Sequence, residues 1–102
     1  MRCAQLVGAV TNGDRRKNID EAISRFNQEV ENLRSMGEYD FIYNPVEYQK
    51  DGKSYEEYIF ETLDSIITDK PDIFLLPGWQ ESLGARIELE FAKRLGLRIE
   101  EI

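Results

Sequence analysis

Histidine is absent from this chain of 102 residues, and cysteine occurs once. Without histidine there can be no Ser-His-Asp triad, no histidine general base and no histidine-ligated zinc site. Because Cys3 has no second cysteine to pair with, an internal disulfide is excluded, which favours a reducing compartment. We therefore expect a cytoplasmic protein that uses no metal or other cofactor, with Cys3 as a packing residue.

Positive charge and long apolar runs are also scarce. The chain has 13 lysines and arginines against 20 acidic residues, a formal net charge of −7. An acidic chain without a clustered basic face is a poor candidate for binding duplex nucleic acid, although backbone amides can still hold a small nucleotide. No apolar run approaches the roughly 18 residues of a membrane span, and the N-terminal apolar run is too short for a signal peptide. The length and the 41% hydrophobic share predict one globular domain over residues 1–102.

Short apolar runs alternate along the chain with segments whose apolar residues follow helical spacing. We predict a strand within residues 3–10 and further strands over 41–43, 72–76 and 97–102. Helices are predicted over 18–36, from 54 to the Lys70-Pro71 break and over 82–95, and the polar segment 46–53 is predicted to be a mobile loop. This alternation predicts a small doubly wound α/β fold, flavodoxin-like or Rossmann-like, with about four parallel strands and three helices. The second strand should lie beside the first, and the third and fourth on its other side.

In such a fold, ligands bind where the loops after the first and third strands face each other. The first loop brings Gly8, which permits close backbone approach, and the neutral hydrogen-bonding groups of Thr11 and Asn12. Its glycines match neither common phosphate-binding pattern, so a simple turn is the alternative interpretation.

The second loop leads into the third helix. Ser82 stands where an N-cap residue belongs, and the free amides near Gly84 form a potential anion site. Ser82 either caps its helix, contacts a ligand, or does both. Trp79, just before it, is either a lid over hydrophobic surface or a stacking platform for a planar base.

Glu88 is a carboxylate where the third helix should be apolar. Its neighbours at helical spacing are small or apolar: Gly84, Ala85, Phe91 and Ala92. Glu90, by contrast, has cationic neighbours typical of a solvated surface, namely Arg86, Lys93 and Arg94. Glu88 is therefore either a buried glutamate satisfied by a backbone group or cation, or a functional carboxylate whose protonation is tuned by burial.

These residues carry a resemblance that covers nearly the whole chain. Its parts are Gly8-Ala9-Val10-Thr11-Asn12-Gly13, Asn18 with Phe26, Asn44-Pro45, and Asp72…Leu76-Pro77-Gly78-Trp79…Ser82-x-Gly84-Ala85-x-x-Glu88 with Ala92-x-x-Leu95-Gly96. The pattern resembles a family of small bacterial and phage proteins of unassigned function that is related to the nucleoside 2-deoxyribosyltransferases. The wider superfamily includes the 2′-deoxynucleoside 5′-monophosphate N-glycosidases, which share Ser-x-Gly-x-x-x-Glu.

The resemblance implies that Glu88 is a nucleophile that attacks the anomeric carbon of a 2-deoxyribosyl group and releases the base. It also implies that the Ser82 hydroxyl contacts the sugar or phosphate, and that a neighbouring subunit of a homodimer or larger homo-oligomer completes the site. The expected partner is a nucleoside or nucleotide, with neither duplex nucleic acid nor a membrane involved.

The chain departs from this pattern in two places. The glycosidases are similar in the first loop but carry a serine and an arginine where this chain has Ala9 and Thr11. They also place a ribose-binding aspartate in the second helix. Counting back from the third strand puts Asp64 there, whereas helix phase puts Thr62 there. The departures leave a non-catalytic nucleotide-binding protein as the alternative to a glycosidase or transferase, and a scaffold acting through its acidic surface as a third reading.

Overall fold

Four strands and three α-helices alternate in the computed structural model, which describes residues 2–9, 16–47 and 55–102. The strands are β1 (Cys3–Val7), β2 (Phe41–Tyr43), β3 (Asp72–Leu75) and β4 (Ile99–Glu101), and the helices are α1 (Arg16–Met36), α2 (Tyr55–Asp69) and α3 (Leu83–Arg94). Two short 3-10 turns lie at Pro45–Glu47 and Trp79–Glu81. None of the helices in the described ranges is long and apolar enough to cross a membrane.

The strands form one parallel sheet in the order β2-β1-β3-β4. The predicted α/β class and strand order are confirmed. The chain order reverses between β1 and β3, whose ends are adjacent because the Leu76 N–H donates to the Val7 carbonyl at 2.9 Å. This is the switch point at which doubly wound sheets bind ligands.

Helices cover both faces of the sheet, which is why every residue of β1 is buried. Side chains alternate along the strand, so its two sets of residues enter two apolar layers. The layer under α1 contains Ala4, Leu6, Ala22, Phe26, Val30, Leu33, Phe74 and Leu76. The opposite layer, under α2 and α3, contains Val7, Ile66, Ile73, Leu75, Ala85, Leu89 and Ala92. We call the second one the α2/α3 layer.

Gly8 stands at the exit from β1, where α1 passes close to the strand. A Cβ atom at this position would lie 3.1 Å from both Leu76 Cβ and Phe26 Cζ. Such contacts are tighter than ordinary van der Waals packing, so the close approach of α1 and β3 accounts for a glycine here.

The predicted mobile loop over 46–53 begins instead with ordered structure, since residues 45–47 form a 3-10 turn. Asn44 holds this turn: it is 1% exposed, its Nδ2 donates to Asn27 Oδ1 at 3.0 Å, and its Oδ1 accepts from the Val46 N–H at 3.4 Å. Side-chain amides of asparagine stabilise turns in this way. The rest of the predicted loop lies outside the described residues.

At the amino ends of the strands, Asp72 is surrounded by hydrogen-bond donors. Its Oδ2 accepts from Tyr39 Oη at 2.7 Å and from Arg2 Nη2 at 3.1 Å, and Arg98 Nη1 lies 3.8 Å away. The Arg2 guanidinium also lies 4.9 Å from the centre of the Tyr39 ring. Burial, together with the hydrogen bond to Asp72, raises the pKa of Tyr39 to about 12. This cluster joins the segments before β1, β2 and β4 to β3.

Candidate active site

Ser82 sets the start of α3 directly after the third strand's loop. Its backbone is extended (φ −103°, ψ 120°), and its Oγ accepts a hydrogen bond from the Ala85 N–H at 3.2 Å. This is the N-cap geometry predicted for Ser82, and the helix itself begins at Leu83. The hydroxyl accepts in this bond and keeps its own proton, which remains available for a second contact.

Glu88 lies on the inward face of α3, as its helical spacing predicted. Glu88 is 5% exposed. Ala85 and Ala92, one helical turn before and after it, belong to the α2/α3 layer. These small side chains, together with buried Gly84, let α3 pack closely against α2. Phe91, predicted on the same face, is 38% exposed and lies at its edge.

The partner of Glu88 across the helix interface is Thr62, which is fully buried. Burial raises the pKa of Glu88 from 4.5 to about 7, and a hydrogen bond with the Thr62 side chain acts in the opposite direction. No lysine or arginine of the described residues forms an ion pair with Glu88. The surface residue Glu90, by contrast, forms an ion pair with Arg94, whose Nε lies 3.2 Å from the Glu90 Oε1. The raised pKa therefore comes from desolvation that no described cation offsets.

The Thr62 hydroxyl has one proton and two possible acceptors. Its Oγ1 donates to the Ile59 carbonyl at 2.9 Å, which leaves only its lone pairs for Glu88. A hydroxyl in this orientation can accept a hydrogen bond from the O–H of a neutral Glu88. An ionised Glu88 needs a donor, and the hydroxyl must then turn away from Ile59. The hydrogen bond that lowers the pKa of Glu88 is the one in which Thr62 donates, and it therefore requires the hydroxyl to leave Ile59.

Asp64 is two residues from Thr62 but on the opposite side of α2, where it is exposed. Of the two residues considered for the ribose contact, the structure therefore brings Thr62 and not Asp64 to Glu88. Helix phase was the better guide because the apolar residues of α2 point toward the sheet.

Gln5 is a polar residue of this region that the sequence analysis did not single out. It is 0% exposed, and within the described ranges neither its Oε1 nor its Nε2 has a hydrogen-bond partner. It lies two residues before Val7 and opposite Ile73, so its side chain enters the α2/α3 layer. The sequence feature that could have identified Gln5 is a single amide in the otherwise apolar run Cys-Ala-Gln-Leu-Val, in a strand predicted to be central.

Trp79 bridges the loop after β3 to the end of β4. Its ring packs against the α2/α3 layer with Leu97 and Ile99, and its Nε1–H donates to Glu101 Oε1 at 3.2 Å. It lines a shallow cavity of about 290 Å³ formed by residues 75–80, 101 and 102. Neither Ser82 nor Glu88 lines this cavity, so Trp79 and Glu88 face different spaces in this structure.

The remaining predicted site residues belong to the first loop. Gly8 is described and half-buried, at the end of β1 beside Leu76, whereas Thr11 and Asn12 lie outside the described residues. Within the described ranges, no cluster of three acidic or cysteine side chains is arranged to hold a metal ion. The chemically distinctive group of the described site is thus a buried carboxyl that titrates near neutrality, a property typical of nucleophiles and proton-transfer groups.

Comparison with known families gives one match. A family described as "Domain of unknown function (DUF4406)" matches residues 8–101, so the chain belongs to this family. Searches of curated proteins and of solved structures returned no match.

Proposed function

We propose that this DUF4406 protein cleaves the N-glycosidic bond of a 2′-deoxynucleoside or its 5′-monophosphate, or transfers the 2-deoxyribosyl group to another base. Glu88 is the nucleophile. The observation that carries the proposal is the state of this carboxyl: 5% exposed, contacted by Thr62, and with a pKa raised to about 7 by burial. Desolvation on this scale is costly for a structural glutamate and useful for a reactive one.

The chemistry follows from a carboxylate beside an oxocarbenium-like centre. One Glu88 oxygen forms a bond to C1′ of the sugar while the bond from C1′ to the base nitrogen breaks. The electron pair of that bond leaves with the base, which takes up a proton. Water or the nitrogen of a second base then attacks C1′, the bond from C1′ to the Glu88 oxygen breaks and frees the carboxylate, and the attacking group loses a proton to solvent. With a pKa of about 7, a substantial fraction of Glu88 is ionised at neutral pH, as attack requires.

Other residues of the switch point hold the substrate in this proposal. Ser82, whose hydroxyl retains a proton beyond its capping bond, donates to a sugar or phosphate oxygen. Gly8 lets the substrate approach the backbone at the end of β1, and Thr11 and Asn12 of the first loop supply neutral hydrogen bonds. Trp79 lines a cavity that neither Ser82 nor Glu88 lines, so we assign its stacking on the base a secondary role.

The test is chromatographic detection of free base from a panel of 2′-deoxynucleosides and their monophosphates. Glu88→Gln removes the nucleophile while keeping the side chain's shape, and we expect turnover to fall by roughly three orders of magnitude or more. Glu90→Gln, two residues away on the exposed side of the same helix, is the matched control and should retain full activity. Equal turnover in wild type and Glu88→Gln would contradict the proposal.

A non-catalytic nucleotide-binding protein is the second candidate. One observation favours it: the residue facing Glu88 from α2 is the neutral Thr62, and no described carboxylate stands there to hold a ribose. Binding without turnover predicts that deoxynucleotides raise the thermal unfolding temperature of the protein while no base is released. The same panel of compounds distinguishes the two candidates.

We also propose that the protein acts as a homodimer or larger homo-oligomer in the cytoplasm. Exposed apolar side chains along α3 and at its C-cap support self-association: Leu83 is 57% exposed, Phe91 38% and Leu95 41%. Cys3, buried and without a disulfide partner, fits a reducing compartment. Sedimentation of wild type beside a Leu83→Glu variant tests the assembly.

A further inference from the structure

The carboxamide of Gln5 is a buried polar group that the described fold does not use. Both of its polar atoms lack hydrogen-bond partners among the described residues, and the residue is 0% exposed. Burying an amide without hydrogen bonds destabilises the folded state, and an apolar side chain of the same length would avoid this cost. A group of this kind calls for an explanation beyond packing.

Gln5 shares its layer with the two other polar side chains of the site. Its strand neighbours on the same face, Val7 and Ile73, pack with Ile66 of α2 and Leu89 of α3. Thr62 lies one helical turn from Ile66, and Glu88 lies one turn from both Ala85 and Ala92, which belong to this layer. Within this largely apolar layer, these elements thus place an amide, a hydroxyl and a carboxyl.

The hydrogen-bonding capacities of the three groups are complementary. An ionised Glu88 only accepts, and the single proton of the Thr62 hydroxyl reaches it only if the bond to the Ile59 carbonyl is given up. The Gln5 amide nitrogen carries two N–H donors that no described group accepts. When Glu88 is neutral, these donors have no charged acceptor, and when it is ionised, they have one in the same layer.

We propose that Gln5 is a positioning residue for Glu88: its carboxamide is unpartnered while Glu88 is neutral and donates an N–H to the carboxylate once Glu88 is ionised. The amide then holds one carboxylate oxygen and leaves the other free for the reacting carbon. The role in catalysis rests on the proposed function, whereas the hydrogen bond itself does not.

Two other titratable side chains of the described strands lie on this face: Cys3 of β1, and Tyr43 of β2, which is buried and pairs with Gln5. On β1 the same face carries Cys3, whose thiol pKa is raised above 9.0, chiefly by burial and then by Asp69. On β3 this face presents Ile73 and Leu75. The charged side chains of the described surrounding elements are at the surface: Glu56, Glu57, Glu61, Asp64 and Asp69 of α2, Glu81, Arg86, Glu90, Lys93 and Arg94 of the α3 region, and Glu100 and Glu101 of β4.

The first test follows the titration of Glu88 directly, by NMR of protein labelled with ¹³C at the glutamate carboxyls. Gln5→Met keeps the length of the side chain and removes its donors. We expect the midpoint of the Glu88 titration to rise by roughly one pH unit, because a donor to the charged form is lost. Gln28→Met, an exposed glutamine of α1, is the control and should leave the midpoint unchanged. An unchanged midpoint in Gln5→Met would overturn the proposal.

A second test uses thermal stability and separates positioning from packing. Below the midpoint the amide is unpartnered, so Gln5→Met should melt higher than wild type; above it the amide binds the carboxylate, so the variant should melt lower. A difference in melting temperature that does not change with pH would also overturn the proposal. If Gln5→Met does not fold, the wild-type protein provides the test. The chemical shift of the Gln5 side-chain ¹⁵N should change with pH at the same midpoint as the Glu88 titration. A shift that does not change with pH would contradict the proposed hydrogen bond from Gln5 to Glu88.

The catalytic consequence is read from the pH profile of base release. A rise of about one unit in the pKa of Glu88 reduces its ionised fraction about tenfold at pH values below the midpoint. Turnover of Gln5→Met should fall about tenfold there and recover toward wild type at high pH. A shifted titration in a protein that releases no base would leave the hydrogen bond intact and reject only the enzyme function.

Discussion

Asp72 and Glu88 are two carboxylates that the fold treats in opposite ways. Asp72 lies at the amino end of β3 with a side chain 23% exposed, and it is surrounded by Arg2, Tyr39 and Arg98. Glu88 lies inside the α2/α3 layer with a neutral hydroxyl as its described partner. A carboxylate that is both solvated and paired stabilises the structure around it. A carboxylate buried without a cation among the described residues is destabilised when it ionises, and this difference is why we propose Glu88 as the reactive one.

The largest effect on stability should come from replacing the ionisable carboxyl of Glu88. The carboxyl pKa of Glu88 rises on folding from 4.5 to about 7, so the folded protein binds the proton more tightly than the unfolded chain does. Stability is therefore highest below pH 4.5 with respect to this group, and it falls as the pH rises toward 7, by about 3 kcal/mol in total. Glu88→Gln should abolish this fall and be more stable than wild type at pH 8.

Urea unfolding of both proteins at several pH values between 4 and 8 measures the effect. Glu90→Gln should keep the wild-type pH dependence, since Glu90 is an exposed residue paired with Arg94. If Glu88→Gln and wild type lose stability in parallel over this range, then Glu88 is not desolvated in solution.

A smaller effect of opposite sign should follow from changing the other carboxylate. Asp72→Asn keeps the side chain's shape but removes the charge that Arg2 and Arg98 face and weakens the bond from Tyr39. We expect a loss of about 1–2 kcal/mol, since hydrogen bonds to a charged group are stronger than neutral ones. Base release should be unaffected, because Asp72 lies at the opposite edge of the sheet from the switch point. A variant as stable as wild type would show that this cluster contributes nothing.

The smallest effect should come from the N-cap of α3. Ser82→Ala removes the acceptor of the Ala85 N–H and should destabilise the protein by about 1 kcal/mol. If Ser82 also contacts substrate, KM or kcat should change in this variant by more than the stability loss explains. Ser82→Gly restores most of the cap stability but not the hydroxyl, so it separates the two roles. Normal kinetics in both variants would limit Ser82 to capping.

The helix faces were well predicted because periodicity depends on local geometry. The spacing of Glu88 placed it on the inward side of α3, and the phase of α2 placed Thr62 inward and Asp64 outward. The prediction of Ser82 as the N-cap of α3 is confirmed, because capping also depends on local geometry. The ordered turn after Asn44 was missed because its stability depends on Asn27, a residue of another helix.

The burial of Gln5 could not be predicted from the sequence. One amide in an apolar strand is compatible with an edge position, a solvated face or a buried one, and periodicity alone does not choose among them. Only the packing of α2 and α3 over β1 shows that this amide is excluded from solvent and lies in the same layer as Glu88.

The sequence by itself determined the alternation of strands and helices, the parallel order of the sheet and the inward direction of Glu88, since each depends on spacing along the chain and on the handedness of crossovers. The tertiary structure decided which polar groups are buried in the same layer. Gln5, Thr62 and Glu88 come from three separate elements, and the pKa of Glu88 depends on water excluded by all of them. Desolvation is a property of the whole packed layer, and no local pattern encodes it.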